Sequence, residues 1–206
     1  MRAMLTLYDA LGSGNGYKVR LLLRQLGQPF ERVLLDIVEK RETRQAVFLV
    51  KNPNGRIPTL VFEDGRILAE SNAILWYLAQ GTDYVSADAF QQAQALQWMF
   101  FEQYSHEPYI AVARFIRHYQ MGEADAEARL EALRPRGEAA LGVMETHLKN
   151  NDWFAGGAYS IADIALYAYT HVADEAGFDL AGYPAVRAWL DRVAAQPNHE
   201  PMGDPW

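Results

Sequence analysis

The run Gly12-Ser13-Gly14-Asn15-Gly16-Tyr17-Lys18 places a hydroxyl and an amide on a Gly-rich loop between an apolar, β-prone stretch (residues 4–8, MLTLY) and a helix-period stretch (YKVRLLLRQLG). Backbone N–H groups at a helix N-terminus attract anions, so a strand, this loop and a helix make a candidate anion cradle. A phosphate fits it poorly. The GxxxxGK[ST] spacing of a phosphate loop is missing, and a dinucleotide-binding chain would go on alternating strands and helices instead of passing through a hairpin. A flexible turn with no chemistry is the plain alternative. Two further segments stand out: Asn52-Pro53-Asn54-Gly55-Arg56-Ile57-Pro58-Thr59-Leu60 and Glu70-Ser71-Asn72-Ala73-Ile74. Taken singly, the first is a turn and the second a helix start with Ser71 as its N-cap.

Composition narrows the chemistry. The chain has no cysteine, which removes disulfides, thiolate metal sites, a Cys nucleophile and a CxxC redox pair, so any thiol must arrive with a ligand. His106, His118, His147, His171 and His199 show no metal-ligand spacing and read as surface or packing residues, and no metal is expected. With a net charge of −7 and no cluster of Lys and Arg, the chain lacks the footprint of a nucleic-acid or anionic-membrane binder. The opening MRAMLTLYDALG is interrupted by Asp9 and Gly12 too early for a secretory signal, and no stretch reaches membrane-spanning length, so a soluble cytoplasmic protein is expected.

The elements that must carry these loops follow from periodicity. Val19, Leu22, Leu23 and Leu26 have helical spacing, and Gly27 suits the C-terminal cap. Residues 30–35 (FERVLL) read as a second strand, and RETRQAVFLVKN as helical up to Asn52-Pro53. IPTLVFEDGRILA reads as a hairpin about Glu63-Asp64-Gly65, and ESNAILWYLAQG as a helix from about Ser71 to Gly81. The order β-α-β-α-β-β-α then gives way to purely helical spacing, with breaks expected at Pro108, Gly122, residues 150–152, Gly156-Gly157 and Gly182-Tyr183-Pro184. A boundary at 81–87 divides the 206 residues into an α/β domain, 1–81, and an all-helical domain, 88–206. Ser160 and Asp163 form a capping box, with Tyr159 and Ile164 placed as its hydrophobic staple; this is a folding feature. The final PNHEPMGDPW is Pro-rich and irregular, with Trp206 able to fold back on the body.

Taken together, in this order and followed by Tyr159-Ser160-Ile161-Ala162-Asp163-Ile164, the three segments resemble the cytosolic glutathione S-transferase family over essentially the whole chain. The resemblance implies a thioredoxin-like N-terminal domain that binds glutathione, an all-α C-terminal domain that contributes the second-substrate pocket, and a homodimer. It implies a cis peptide before Pro58, pairing of the Ile57 backbone with the cysteinyl unit of glutathione like an added strand, and Glu70 and Ser71 on the γ-glutamyl end. A carboxylate for the ligand's ammonium and a helix N-terminus for its carboxylate suit that end chemically. Arg56 is placed to meet the glycyl carboxylate.

A free thiol has a pKa near 8.5, and lowering it by roughly two units takes about 2.7 kcal/mol of preference for the thiolate. One hydrogen bond to a charged group supplies about 1.5–3 kcal/mol and a helix N-terminus about 0.3–1 more, so a single donor suffices without a general base. Ser13 is the first candidate, because SGNGYKVR resembles the opening of serine-type members. Asn15 follows closely, since Ser-Gly-Asn-Gly-Tyr-Lys also resembles a bacterial Thr-Pro-Asn-Gly subgroup with disulfide-bond reductase activity, from which the chain departs at Ser13 and Gly14. The zeta-type isomerases carry Ser-Ser-Cys at this place, and the missing cysteine argues against their reaction. Tyr8, where tyrosine-type members keep their donor, reads as packing. The aromatic segment WMFFEQYSHEPYIAVARFI offers Tyr104, His106, Tyr109 and Arg114; Tyr109 is the candidate for the second-substrate pocket, the rest of the stripe being core or dimer surface.

Three functions are therefore in play. Conjugation of the glutathione thiolate to a small hydrophobic electrophile leads. A glutathione-dependent disulfide reductase or peroxidase is favoured by Asn15, and a non-catalytic binding or scaffold protein would keep the fold and the ligand.

Overall fold

The computed structural model describes residues 4–203; Trp206 lies outside the described residues. β1 (Leu5–Asp9) leads into α1 (Gly14–Gln25) and β2 (Phe30–Leu34). A 3-10 turn (Glu42–Arg44) and α2 (Ala46–Leu49) precede the hairpin of β3 (Thr59–Val61) and β4 (Ile67–Ala69), and α3 (Ser71–Ala79) follows. The four strands form one mixed sheet in the order β2-β1-β3-β4, with β1 parallel to β2 and antiparallel to β3, and β3 antiparallel to β4. This is the thioredoxin-like arrangement. Alternation along β1 turns Leu5 and Leu7 into a core shared with Val19 and Leu23 of α1, Leu60 of β3 and Ile74 of α3. Each such side chain contributes about 1.5–3 kcal/mol on burial. α1 ends as its periodicity predicts: Gly27, at φ 59°, donates to the Arg24 carbonyl while Gln28 N–H reaches back to Leu23. That pairing closes the last turn and needs a left-handed residue.

Two expectations need correction. The helix read over RETRQAVFLVKN shrinks to the 3-10 turn and the single turn of α2, because Arg41 is left-handed (φ 50°) and Gln45 is extended between them. The break expected at Pro108 is absent: α4 (Ala89–Phe101) passes through a π-helical turn (Glu102–His106) into α5 (Glu107–Tyr119), with Pro108 in its first turn. The π-helical turn just before it shifts the hydrogen-bond ladder where the proline lacks its N–H.

Helices α6 (Ala126–Leu148), α7 (Ile161–Thr170) and α8 (Pro184–Ala194) complete the second, mostly helical part. All ten residues of α7 are buried, and the predicted capping box starts it: Asp163 Oδ2 accepts from the Ser160 N–H (2.9 Å) and hydroxyl (3.1 Å). Its other oxygen accepts from Trp189 Nε1 (2.9 Å) and Phe154 N (3.2 Å). Burial pushes the Asp163 carboxyl up to about 6 against the pull of these four donors.

The chain divides into two compact units, one of residues 81–196 and one of residues 4–80 together with 197–203. The division departs from the expected 88–206 domain at its end, since the terminal segment joins the first unit. Tyr17 donates its hydroxyl proton to the Glu200 carbonyl, Arg20 Nη2 donates to the Met202 carbonyl (3.1 Å), and Arg24 pairs with the Glu200 carboxylate (3.0 Å). Among the described residues no helix is long and apolar enough to cross a membrane.

Candidate functional site

The register of the sheet brings the three sequence motifs to one end of it. β1 runs toward Asp9, β3 starts beside that end with Thr59 opposite Tyr8, and β4 returns to finish with Ala69 opposite Thr59. The loop into α1, the Ile57-Pro58 step before β3 and the Glu70-Ser71 entry to α3 therefore leave the sheet together.

Ser13 is the N-cap of α1, with extended backbone, and its Oγ accepts from Gly16 N at 3.1 Å. A serine hydroxyl has one proton and two lone pairs, so capping leaves the O–H able to donate to an anion. Asn15 lies in the first turn. Its Oδ1 accepts from Lys18 Nζ at 2.8 Å and from the Ser71 hydroxyl at 3.3 Å, which ties the start of α1 to the start of α3. Lys18 is fully buried, and its Nζ also reaches Ser71 Oγ at 3.4 Å. Beneath the loop, buried Asp9 accepts from Ala10 N (2.7 Å) and pairs with Arg20 (2.9 Å) and Arg32 (2.9 Å). Burial drives the Asp9 carboxyl up and the Arg20 guanidinium down, each opposed by the other's charge.

The loop before β3 is shaped from inside by Asn52, which is 5% exposed. Its Nδ2 donates to the Arg56 carbonyl (2.8 Å) and to Thr59 Oγ1 (3.2 Å), while its Oδ1 accepts from Asn54 N (3.0 Å). Gly55 has φ +62°, and a Cβ there would fall 2.9 Å from the Thr43 carbonyl. The Ile57-Pro58 peptide is cis. Pro58 is buried, the Arg56 side chain is exposed, and the ladder of β3 begins only at Thr59, which keeps Ile57 outside it.

At the entry to α3 the N-cap is Glu70 and not Ser71, which is the first helical residue. Glu70 is exposed and has φ 69°, a left-handed conformation that costs a residue with a side chain of order 1–3 kcal/mol and that gathers at functional sites. Its side chain makes no capping bond, and its carbonyl accepts from Ile74 N at 2.9 Å. A carboxylate held beside a helix N-terminus suits a ligand end that carries both an ammonium and a carboxylate. Among the described residues no group of His, Cys, Asp and Glu could hold a metal.

The other candidates are engaged in packing or ion pairs. Tyr8 packs edge-on against Phe48, with ring centroids 5.9 Å apart, and Lys51 Nζ stands 5.5 Å from the centre of its ring. Tyr109 belongs to the second unit, where its hydroxyl accepts from Arg136 Nη1 at 2.9 Å. His106 is core and bonds Thr170 Oγ1 at 2.9 Å, and Arg114 pairs with Glu175 at 2.6 Å. The roles of Asn52 and Lys18 were missed in the sequence. An asparagine before proline signals only a turn, and a lysine early in a helix signals a solvated charge.

Residues 3–80 match the family described as glutathione S-transferase, N-terminal domain, and residues 98–197 match glutathione S-transferase, C-terminal domain. The chain belongs to the glutathione S-transferase family. It is 51% identical to a glutathione S-transferase of Pseudomonas fluorescens Pf-5 of known structure, covering 97% of this chain and 99% of that one, with a TM-score of 0.94. It is 30% identical to the disulfide-bond oxidoreductase YfcG of Escherichia coli K12, over 94% of this chain and 92% of that protein. A second P. fluorescens family member, solved with two glutathione molecules bound, is 26% identical over 94% and 89% of the respective chains, with a TM-score of 0.81.

Proposed function

We propose that this chain is a glutathione transferase that holds glutathione as its thiolate at the start of α1 and directs it at a small hydrophobic electrophile. The observation that carries the reading is the convergence of the Ser13 hydroxyl and the Asn15 amide at one helix N-terminus, linked through Asn15 to Ser71. On this reading residues 1–81 are the glutathione-binding domain. Ser13 and Asn15 donate to the sulfur, the Ile57 backbone before Pro58 pairs with the cysteinyl unit, Glu70 and Ser71 take the γ-glutamyl end, and Arg56 takes the glycyl carboxylate. The helical domain supplies the second-substrate pocket, with Tyr109 meeting the electrophile. When the thiolate attacks an aryl halide, a C–S bond forms and halide leaves with the electron pair. A cytoplasmic homodimer goes with this reading, and the exposed rings of Phe90, Phe100 and Tyr104 offer surface for a second copy.

A second reading has one specific support, the relatives described as a disulfide-bond oxidoreductase and as holding two glutathiones. Here the thiolate attacks a mixed disulfide, expels one thiol, and a second glutathione releases the other as glutathione disulfide forms. The test is a titration of the bound thiol by its thiolate absorbance for the wild type, Ser13→Ala and Asn15→Ala, followed by turnover of an aryl halide and of a low-molecular-weight disulfide. A lowered thiol pKa with aryl-halide turnover supports conjugation. Disulfide turnover alone favours the second reading. Binding with an unshifted thiol would leave a non-catalytic binding protein.

A further inference from the structure

The buried side chain of Lys18 bonds the Asn15 amide, with Nζ 2.8 Å from its Oδ1. An amide's oxygen and nitrogen look alike in shape, and only the second can donate to a thiolate. The Asn15 atom 2.8 Å from Lys18 Nζ faces an ammonium, which has three donors and no lone pair, so that atom must be the oxygen. The Ser71 hydroxyl, 3.3 Å away, donates to the same oxygen. A flipped amide would set its N–H groups against the ammonium in a fully buried position, where an unmatched charge is expensive.

Lys18 stands one helical turn beyond Asn15 and has no exposed surface of its own. We infer that Lys18 is a positioning residue: by binding Asn15 Oδ1 it commits the Asn15 NH2 group to donate to the anionic sulfur. It touches no reacting atom in this scheme and acts through Asn15. The inference rests on the proposed thiolate chemistry and assigns one more residue to it. Because the ammonium is beyond the reach of solvent, salt screens it weakly.

The test compares wild type, Lys18→Met, Lys18→Arg, Asn15→Ala and Asn15→Asp. Three quantities are read: the pKa of bound glutathione by thiolate absorbance, the affinity for S-methylglutathione, which cannot ionise at sulfur, and the melting temperature. Lys18→Met should raise the bound thiol pKa by about one unit, a tenfold loss of thiolate at fixed pH. S-methylglutathione affinity should change by less than about threefold, and Lys18→Arg should restore part of the shift. Asn15→Asp keeps an acceptor for Lys18 but removes the side-chain N–H groups and adds a negative charge, so it should melt several degrees above Asn15→Ala while raising the thiol pKa at least as much.

The inference is overturned if Lys18→Met leaves the thiol pKa at its wild-type value, or if it weakens S-methylglutathione binding as much as it depletes thiolate. Should Lys18→Met fail to fold, the Asp variant decides: melting no higher than Asn15→Ala means that Lys18 does not hold that oxygen. A wild-type protein that leaves the thiol unshifted removes the catalytic reading and this one together. A shifted wild type with an indifferent Lys18→Met removes only this one.

Discussion

Asp9 lies so close beneath α1 that a Cβ on Gly16 would fall 1.5 Å from its Oδ1. The carboxylate cannot move aside without leaving Ala10 N, Arg20 and Arg32, all of which hold it in a buried setting. Gly16→Ala therefore forces either an overpacked helix start or a broken buried charge cluster, at a cost of about 3 kcal/mol or more. Denaturant unfolding checks this; a loss below about 1 kcal/mol would show that the loop can relax around the methyl group.

Ser13 caps α1, and the proposed chemistry adds a second, separable duty as a donor to the thiolate. Ser13→Ala should cost about 1 kcal/mol in stability, whereas Ser13→Gly should cost a few tenths. Both lose the hydroxyl, so both should lose the same share of bound thiolate. Melting curves and the thiol titration of the two variants read the duties apart. A wild-type titration in either variant would leave activation to Asn15 and the helix end.

Asn52 makes three hydrogen bonds from a buried position, two within the loop before β3 and one to Thr59 at the start of that strand. Asn52→Ala should cost about 1–3 kcal/mol by stranding Asn54 N–H and leaving the Arg56 carbonyl to the Thr59 hydroxyl (3.2 Å). It should also weaken glutathione binding about tenfold by loosening Ile57, an effect read by calorimetry. Full affinity in a destabilised variant would detach this loop from the ligand.

The carboxyl of Asp163 titrates at about 6 in the folded chain, above its ordinary 3.8. A raised folded value means that the folded state favours the proton. The stability from this group is complete below about pH 4 and is lost as pH rises through 6, by about 3 kcal/mol in all. Asp163→Asn cannot titrate, so its deficit relative to wild type should shrink between pH 4 and pH 7 in denaturant melts. A constant deficit would mean that the four donors hold the carboxylate ionised throughout.

Much of the frame was legible because its signals are local. The apolar spacing of Val19, Leu22 and Leu23, the Gly27 cap, the Glu63-Asp64-Gly65 turn and the Ser160–Asp163 box each sit within a few residues and each appear in the fold. The segment at 41–52 misled because helical spacing cannot reveal a left-handed Arg41. What could not be read was pairing across distance. Lys18 finds Ser71 at a separation of 53 positions, and Tyr17 finds Glu200 at 183. Neither residue type announces burial, so only the tertiary structure shows a surface-like lysine buried between the starts of α1 and α3.

The return of residues 197–203 to α1 also sets a timetable for biogenesis. A chain emerging from the ribosome offers Tyr17, Arg20 and Arg24 long before Glu200 and Met202 exist, with all of residues 81–196 synthesised in between. The first unit thus stays unfinished at its first helix until residues 197–203 have been made.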